Sequence, residues 1–160
     1  MIIKLNKALP KIRQIKNDWC IPASIEIALK YLMPGFLMSQ EDIARINNAG
    51  FSFGNYKKAL ENESNFNYFS FEHYNPTDDQ SRIDKIKEYL KKDSPILLSL
   101  PVQTGSFFLG WHIRVCCELD DNRISMLDPG NAEITTLNIK AVNKLIKIKG
   151  GGDLLGIALK

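Results

Sequence analysis

Gln14-Ile15-Lys16-Asn17-Asp18-Trp19-Cys20-Ile21-Pro22-Ala23-Ser24-Ile25-Glu26-Ile27-Ala28 places a thiol where a helix begins. Apolar Ile21, Ile25, Ala28, Leu29 and Leu32 recur at helical spacing, and Pro22 fits only in a first turn, where its missing N–H is not needed. Cys20 therefore sits at or just before the helix start. Unpaired N–H groups and the positive end of the helix dipole meet there, so the thiol is expected to ionise below the usual value of about 8.5. The competing reading is a small buried cysteine that packs the helix onto the core.

The rest of the chain limits the choices. Its 160 residues suit a single domain, 1–160, large enough to bury about 70% of the unfolded surface. A formal charge of +3, scattered along the chain, gives no reason to expect a nucleic-acid partner. Lys140, Lys144, Lys147 and Lys149, with Leu145 and Ile148 between them, read as an amphipathic helix with a solvated basic face. No apolar run is long enough for a signal peptide or a membrane span, so no transmembrane segment and a cytoplasmic location are expected. Three cysteines, two of them adjacent at 116 and 117, make a poor disulfide framework and fit a reducing compartment. Without a Cys-x-x-Cys or His-x-x-x-His pair, neither a metal nor a cofactor is expected.

Along the chain, residues 1 to 13 read as a short strand or extended lead-in. After the first helix, Met33-Pro34-Gly35 is a stop, and Ser39 caps a short second helix that ends near Asn47-Asn48-Ala49-Gly50. Phe51 to Asn55 reads as a loop and Tyr56 to Glu61 as a third helix. Asn67 to Glu72 has strand-like aromatics, and a fourth helix runs from about Ser81 to Lys92 with Ile83, Ile86, Tyr89 and Leu90 on one face. From Pro95 the period changes to two. Ile96–Val102, Trp111–Leu119, Arg123–Leu127, Glu133–Leu137 and Leu154–Leu159 read as strands, with Lys140–Ile148 as the helix before the last. Helices first and an antiparallel sheet second make an α+β domain of two lobes, with a cleft between them facing Cys20.

Two histidines are candidates for a base. His73 reads as a surface residue. His112, in Gly110-Trp111-His112-Ile113-Arg114-Val115, begins a strand, and Asp128 ends the next one. Pairing around Asp120-Asp121-Asn122 brings 112 and 128 near each other, and a carboxylate there can hold the imidazole in one tautomer. Gln14, six residues before the thiol, adds an amide donor that could join the Cys20 backbone N–H in holding an oxyanion. Trp19 and Trp111, beside nucleophile and base, are candidate walls of the cleft.

These pieces together resemble the papain-fold cysteine peptidases of the C39 and C39-like group, bacterial enzymes best known as the leader-peptide-cleaving domains of peptide exporters. The resemblance rests on Gln14 with Cys20 six residues on, Cys20-x-Pro22-Ala23-Ser24 opening a helix, Gly110-Trp111-His112-Ile113-x-Val115, and Ile124-Ser125-Met126-Leu127-Asp128-Pro129. It implies a helical N-terminal lobe packed on a C-terminal antiparallel sheet, with Cys20 as nucleophile, His112 as general base and later acid, Asp128 as orienter and Gln14 as oxyanion donor. It further implies a peptide or protein substrate. Ile21 stands where the group commonly has glycine, which narrows the cleft beside the thiol. The export-linked members continue into membrane spans and an ATPase, so association with an exporter is an implication of those relatives alone. Hydrolysis of a peptide bond, transfer of the acyl group to an amine or thiol, and a silent peptide-binding module all use the same residues. A self-processing role for Gly150-Gly151-Gly152 is less economical than a turn between the last helix and the last strand.

Overall fold

The computed structural model describes residues 1–47, 52–104 and 107–160, with backbone alone for 102–104 and 107–110. The order is β1 (Ile3–Lys4), α1 (Cys20–Leu32), α2 (Gln40–Ile46), α3 (Phe53–Glu61), a single 3-10 turn (Ser64–Phe66), β2 (Phe69–Tyr74), α4 (Asp79–Lys91), β3 (Ile96–Thr104), β4 (Phe107–Leu119), β5 (Arg123–Asp128), β6 (Glu133–Asn138), α5 (Ile139–Lys149) and β7 (Leu154–Leu159).

The sheet is antiparallel throughout, in the order β2-β7-β3-β4-β5-β6, and β1 pairs with the far end of β4. The expected split into helices and then sheet is therefore blurred at one edge. β2, from the first half of the chain, pairs in full register with the final strand, Phe69 opposite Leu159 to Tyr74 opposite Leu154. Its buried Phe69 and Phe71 join Phe66 in the core, which is what fastens this early strand to the sheet.

α1 is the central helix. Every residue from Ile21 to Leu29 is buried, more than the single apolar face read from the sequence, because α2 covers one side and β3, β4 and β7 the other. Its one buried charge, Glu26, is fully used: Oε1 accepts from Gln40 N at 2.9 Å and Oε2 meets Lys30 Nζ at 2.5 Å. α2 opens with a capping box, the Ser39 hydroxyl taking Asp42 N while Asp42 takes Ser39 N. The expected end of that helix at Asn48–Gly50, and Phe51, lie outside the described residues.

α3 starts three residues before the expected Tyr56, because Ser52 accepts from Asn55 N at 3.1 Å and caps a turn containing buried Phe53. α4 likewise starts two residues early, on Asp78, whose Oδ1 accepts from Ser81 N at 2.7 Å. No helix among the described residues is long and apolar enough to cross a membrane.

Candidate active site

The start of α1 is where the thiol is held. Trp19 precedes the helix and offers no side-chain cap, so the backbone N–H groups of Cys20 and Ile21 remain available, and Pro22 has none. Three backbone N–H groups, those of Ile113 on β4, Ile21 and Cys20 itself, pull the thiol's pKa down. Burial is nonetheless the largest influence and, with the nearby Asp128 carboxylate, pushes Cys20 above the ordinary thiol value. The expected resting thiolate is thereby corrected: at this partly buried helix start, desolvation of the anion outweighs the favourable N–H groups.

His112 and Asp128 meet, by a register different from the simple hairpin. β4 pairs with β5 as Glu118 opposite Ser125 and Cys116 opposite Met126, the shift between them being a bulge at Cys117. Val115 opposite Leu127 then puts Asp128 level with Arg114, and His112, two residues further on, shares Arg114's face of the strand. His112 Nε2 lies 2.5 Å from Asp128 Oδ1, and both side chains are largely buried. A carboxylate only accepts, so Nε2 carries the proton and Nδ1 is left as the basic nitrogen.

Burial works against the charge on Asp128. His112, the Gly130 N–H at 2.8 Å and the Arg114 guanidinium outweigh it and hold the carboxyl below the usual range. Arg114, with Nε 3.5 Å from Asp128 Oδ2, is a member of the site that the sequence reading did not single out. Gly130 is another, since a Cβ there would come within 3.0 Å of Asp128 Oδ1.

The 13–15 segment ties the loop before Cys20 to this pair. Gln14 N donates to Pro129 O at 2.8 Å and Arg13 Nε to Gly130 O at 3.1 Å. From the other side Gln40, 2% exposed, accepts from Ile15 N and donates to Arg13 O, each at 2.9 Å. Gln40 was visible in the sequence only as a first-turn residue of α2, because what it braces lies 25 residues away.

A cleft of about 560 Å³ runs along the thiol, within the size range of small-ligand sites. Its walls are Cys20, Ile21 and the preceding Asn17 and Asp18, the start of α3, Ser99 of β3, Trp111 to Ile113 of β4, and Gly151 and Asp153 before β7. Cys20, His112, Ile21 and Trp111 line this one cleft, and Asp128 meets His112. Two of the expected residues do not line it.

Trp19 faces a separate depression against α2, with Lys16 Nζ 4.6 Å over its ring, because residues 19 and 20 leave a helix start about 100° apart. Gln14 is also absent from the cleft walls. Its Nε2 donates to Lys16 O at 3.0 Å and Asn17 O at 2.9 Å, which engages both amide hydrogens, and its buried Oε1 has no hydrogen-bond partner. The carboxamide curls back onto its own loop instead of pointing at the thiol.

His73 is exposed on β2, a surface histidine as expected, with Nε2 3.4 Å from Asp153 Oδ2. Cys116 is fully buried, and Cys117 is pushed up to about 11 by burial. No group of side chains suited to a metal occurs among the described residues.

The model of the peptidase C39-like family matches residues 7–146, a span that contains every residue of this site up to α5. The chain belongs to the peptidase C39-like family. Solved structures agree on the papain-like architecture of that family. The peptidase domain of Streptococcus ComA, a bifunctional ABC transporter involved in a quorum-sensing pathway, superimposes with a TM-score of 0.66 at 15% identity, covering 99% of both chains. A protein described as a C39-like peptidase from Bacillus anthracis gives 0.69 at 12% identity over 98% of both. A double glycine motif protease from an AMS/PCAT transporter, in complex with its leader peptide, gives 0.65 at 14% identity over 98% of both. No curated protein sequence matches the chain. At these identities the structures speak for a C39-type fold.

Proposed function

We propose that this protein is a cysteine peptidase that hydrolyses peptide bonds through Cys20, His112 and Asp128. The observation that carries the reading is the short His112–Asp128 contact through Nε2, which leaves Nδ1 as the base in a cleft shared with a thiol at a helix start. With its pKa raised by burial, Cys20 rests as a neutral thiol. Proton transfer accompanies attack: the Cys20 proton passes to His112 Nδ1 as Sγ bonds to the carbonyl carbon, and the negative charge moves onto the carbonyl oxygen. Asp128, kept ionised, stabilises the imidazolium.

The Cys20 backbone N–H is the donor open to the oxyanion, and Gln14 joins it by exchanging one of its loop carbonyls for the substrate oxygen. His112 returns the proton to the departing amine, leaving a thioester. Water then attacks the thioester, its proton going to the imidazole and back to sulfur. The substrate is a peptide or protein segment extended in the cleft, and the double glycine motif protease in complex with the leader peptide is a precedent for such a ligand.

The test is incubation with a mixed peptide library, with and without an added primary amine, read by mass. Hydrolysed fragments that disappear with Cys20→Ala support the reading. Amine-capped fragments in place of acids point to a transferase, and bound but intact peptides to a silent module.

A further inference from the structure

The charges on the cleft walls are acidic. Among the described residues its walls carry two carboxylates, Asp18 and Asp153, and neither a lysine nor an arginine, in a chain whose formal charge is +3. Neither carboxylate is neutralised by a strong partner. Among the described residues Asp18 forms no ion pair and Asp153 pairs only with His73, whose Nε2 stands 3.4 Å from Oδ2, longer than a charge-assisted bond. Asp153 is also fixed in place: its carbonyl takes Ser99 N at 3.0 Å, and the preceding Gly152 N donates to Ser99 O at 2.8 Å.

An aromatic face completes the arrangement. Trp111, 48% exposed, rests on Gly151, where a Cβ would lie 2.6 Å from the indole Cζ3, so the glycine run is a shelf for that ring. Carboxylates and an exposed indole lining one cleft suit an ammonium or guanidinium on an aliphatic stem, the stem lying on the ring and the charge meeting an acid.

We propose that this cleft holds a specificity subsite for a lysine or arginine side chain next to the reacting carbonyl, with Asp153 as principal acid and Asp18 as a weaker, exposed second. The inference builds on the peptidase reading for the reaction, but not for the binding itself, and the experiment separates the two. The Cys20→Ala protein is titrated with two peptides that differ only in arginine against citrulline, which keeps shape and removes charge. The arginine peptide is expected to bind about 10- to 100-fold more tightly, the range for a charged hydrogen bond.

Asp153→Asn brings the ratio to within about two-fold of one, and Asp18→Asn, on an exposed loop, lowers it about two- to three-fold. Equal binding of both peptides by Cys20→Ala, or a ratio untouched by both substitutions, overturns the subsite. If the arginine preference holds in Cys20→Ala while the wild-type protein cleaves neither peptide, the subsite stands and the peptidase reading fails.

Discussion

Replacing Gln40 by leucine removes the brace between α2 and the segment that precedes the nucleophile, without touching the cleft. Two backbone groups lose their partners: Ile15 N–H and the Arg13 carbonyl, each held at 2.9 Å. Each orphaned group costs about 1–3 kcal/mol when buried, and the partial burial of this loop admits some water, so the expected loss is about 2–4 kcal/mol. For a chain of this size that is a fall in Tm of about 5–15 °C.

The second consequence is catalytic. The freed 13–15 segment carries Gln14 N and Arg13 Nε, which hold Pro129 O and Gly130 O beside Asp128. Loosening it by an ångström is expected to lower kcat/KM by about 10²-fold. Urea unfolding and peptide cleavage, both measured below the new transition, give the two numbers. Gln40→Glu is a useful second variant, keeping the acceptor for Ile15 N but losing the donor to Arg13 O. A protein that is destabilised yet cleaves at the wild-type rate would refute the claim that this brace positions the site, and no change in either would refute the bonding itself.

Asp128→Asn removes a carboxyl that the fold holds below its ordinary range, so wild type gains stability from it above the unfolded value of about 3.9 and loses that gain as pH falls through the lower folded value. The stability gap between wild type and Asp128→Asn is therefore expected to be full at pH 6 and to close below about pH 4, read by denaturation across pH, while activity at pH 7 falls by about 10²- to 10⁴-fold. Gly151→Ala forces a Cβ to 2.6 Å from Trp111 at a φ of +91°, and calorimetry is expected to find it destabilised by about 2–4 kcal/mol.

The elements were largely legible because their signals are local. Pro22 and the apolar spacing after it fix α1, and Ser39 with Asp42 fixes the start of α2. Where boundaries slipped, as at α3 and α4, a serine or aspartate cap had been read as part of a loop. The meeting of His112 with Asp128 came out right from a wrong register. Leu119 opposite Ile124 sets the pairing three residues off the expected register, the bulge at Cys117 takes one back, and the remaining offset of two leaves a side chain on the same face of a strand.

Gln14 and Trp19 show the limit of such reading. Their positions in the chain are close to the nucleophile, but the direction of a side chain in an irregular loop is set by which carbonyls it meets, and no periodicity reports that. Arg114 and Gln40 were missed for the complementary reason, since a buried polar residue has no meaning until its distant partner is known. The pKa of Cys20 depends on burial as well as on the helix start, and only the second is written in the sequence.

The central claim is that Cys20 is a nucleophile whose reactivity comes from His112. Incubation with a peptide chloromethyl ketone across pH, followed by intact mass and peptide mapping, tests it most directly. One adduct per chain is predicted, on Cys20, formed at least about 10²-fold more slowly in His112→Ala, with Cys116 and Cys117 unmodified. Labelling of Cys117 at the rate of Cys20, or a Cys20 rate unchanged by His112→Ala, would contradict it.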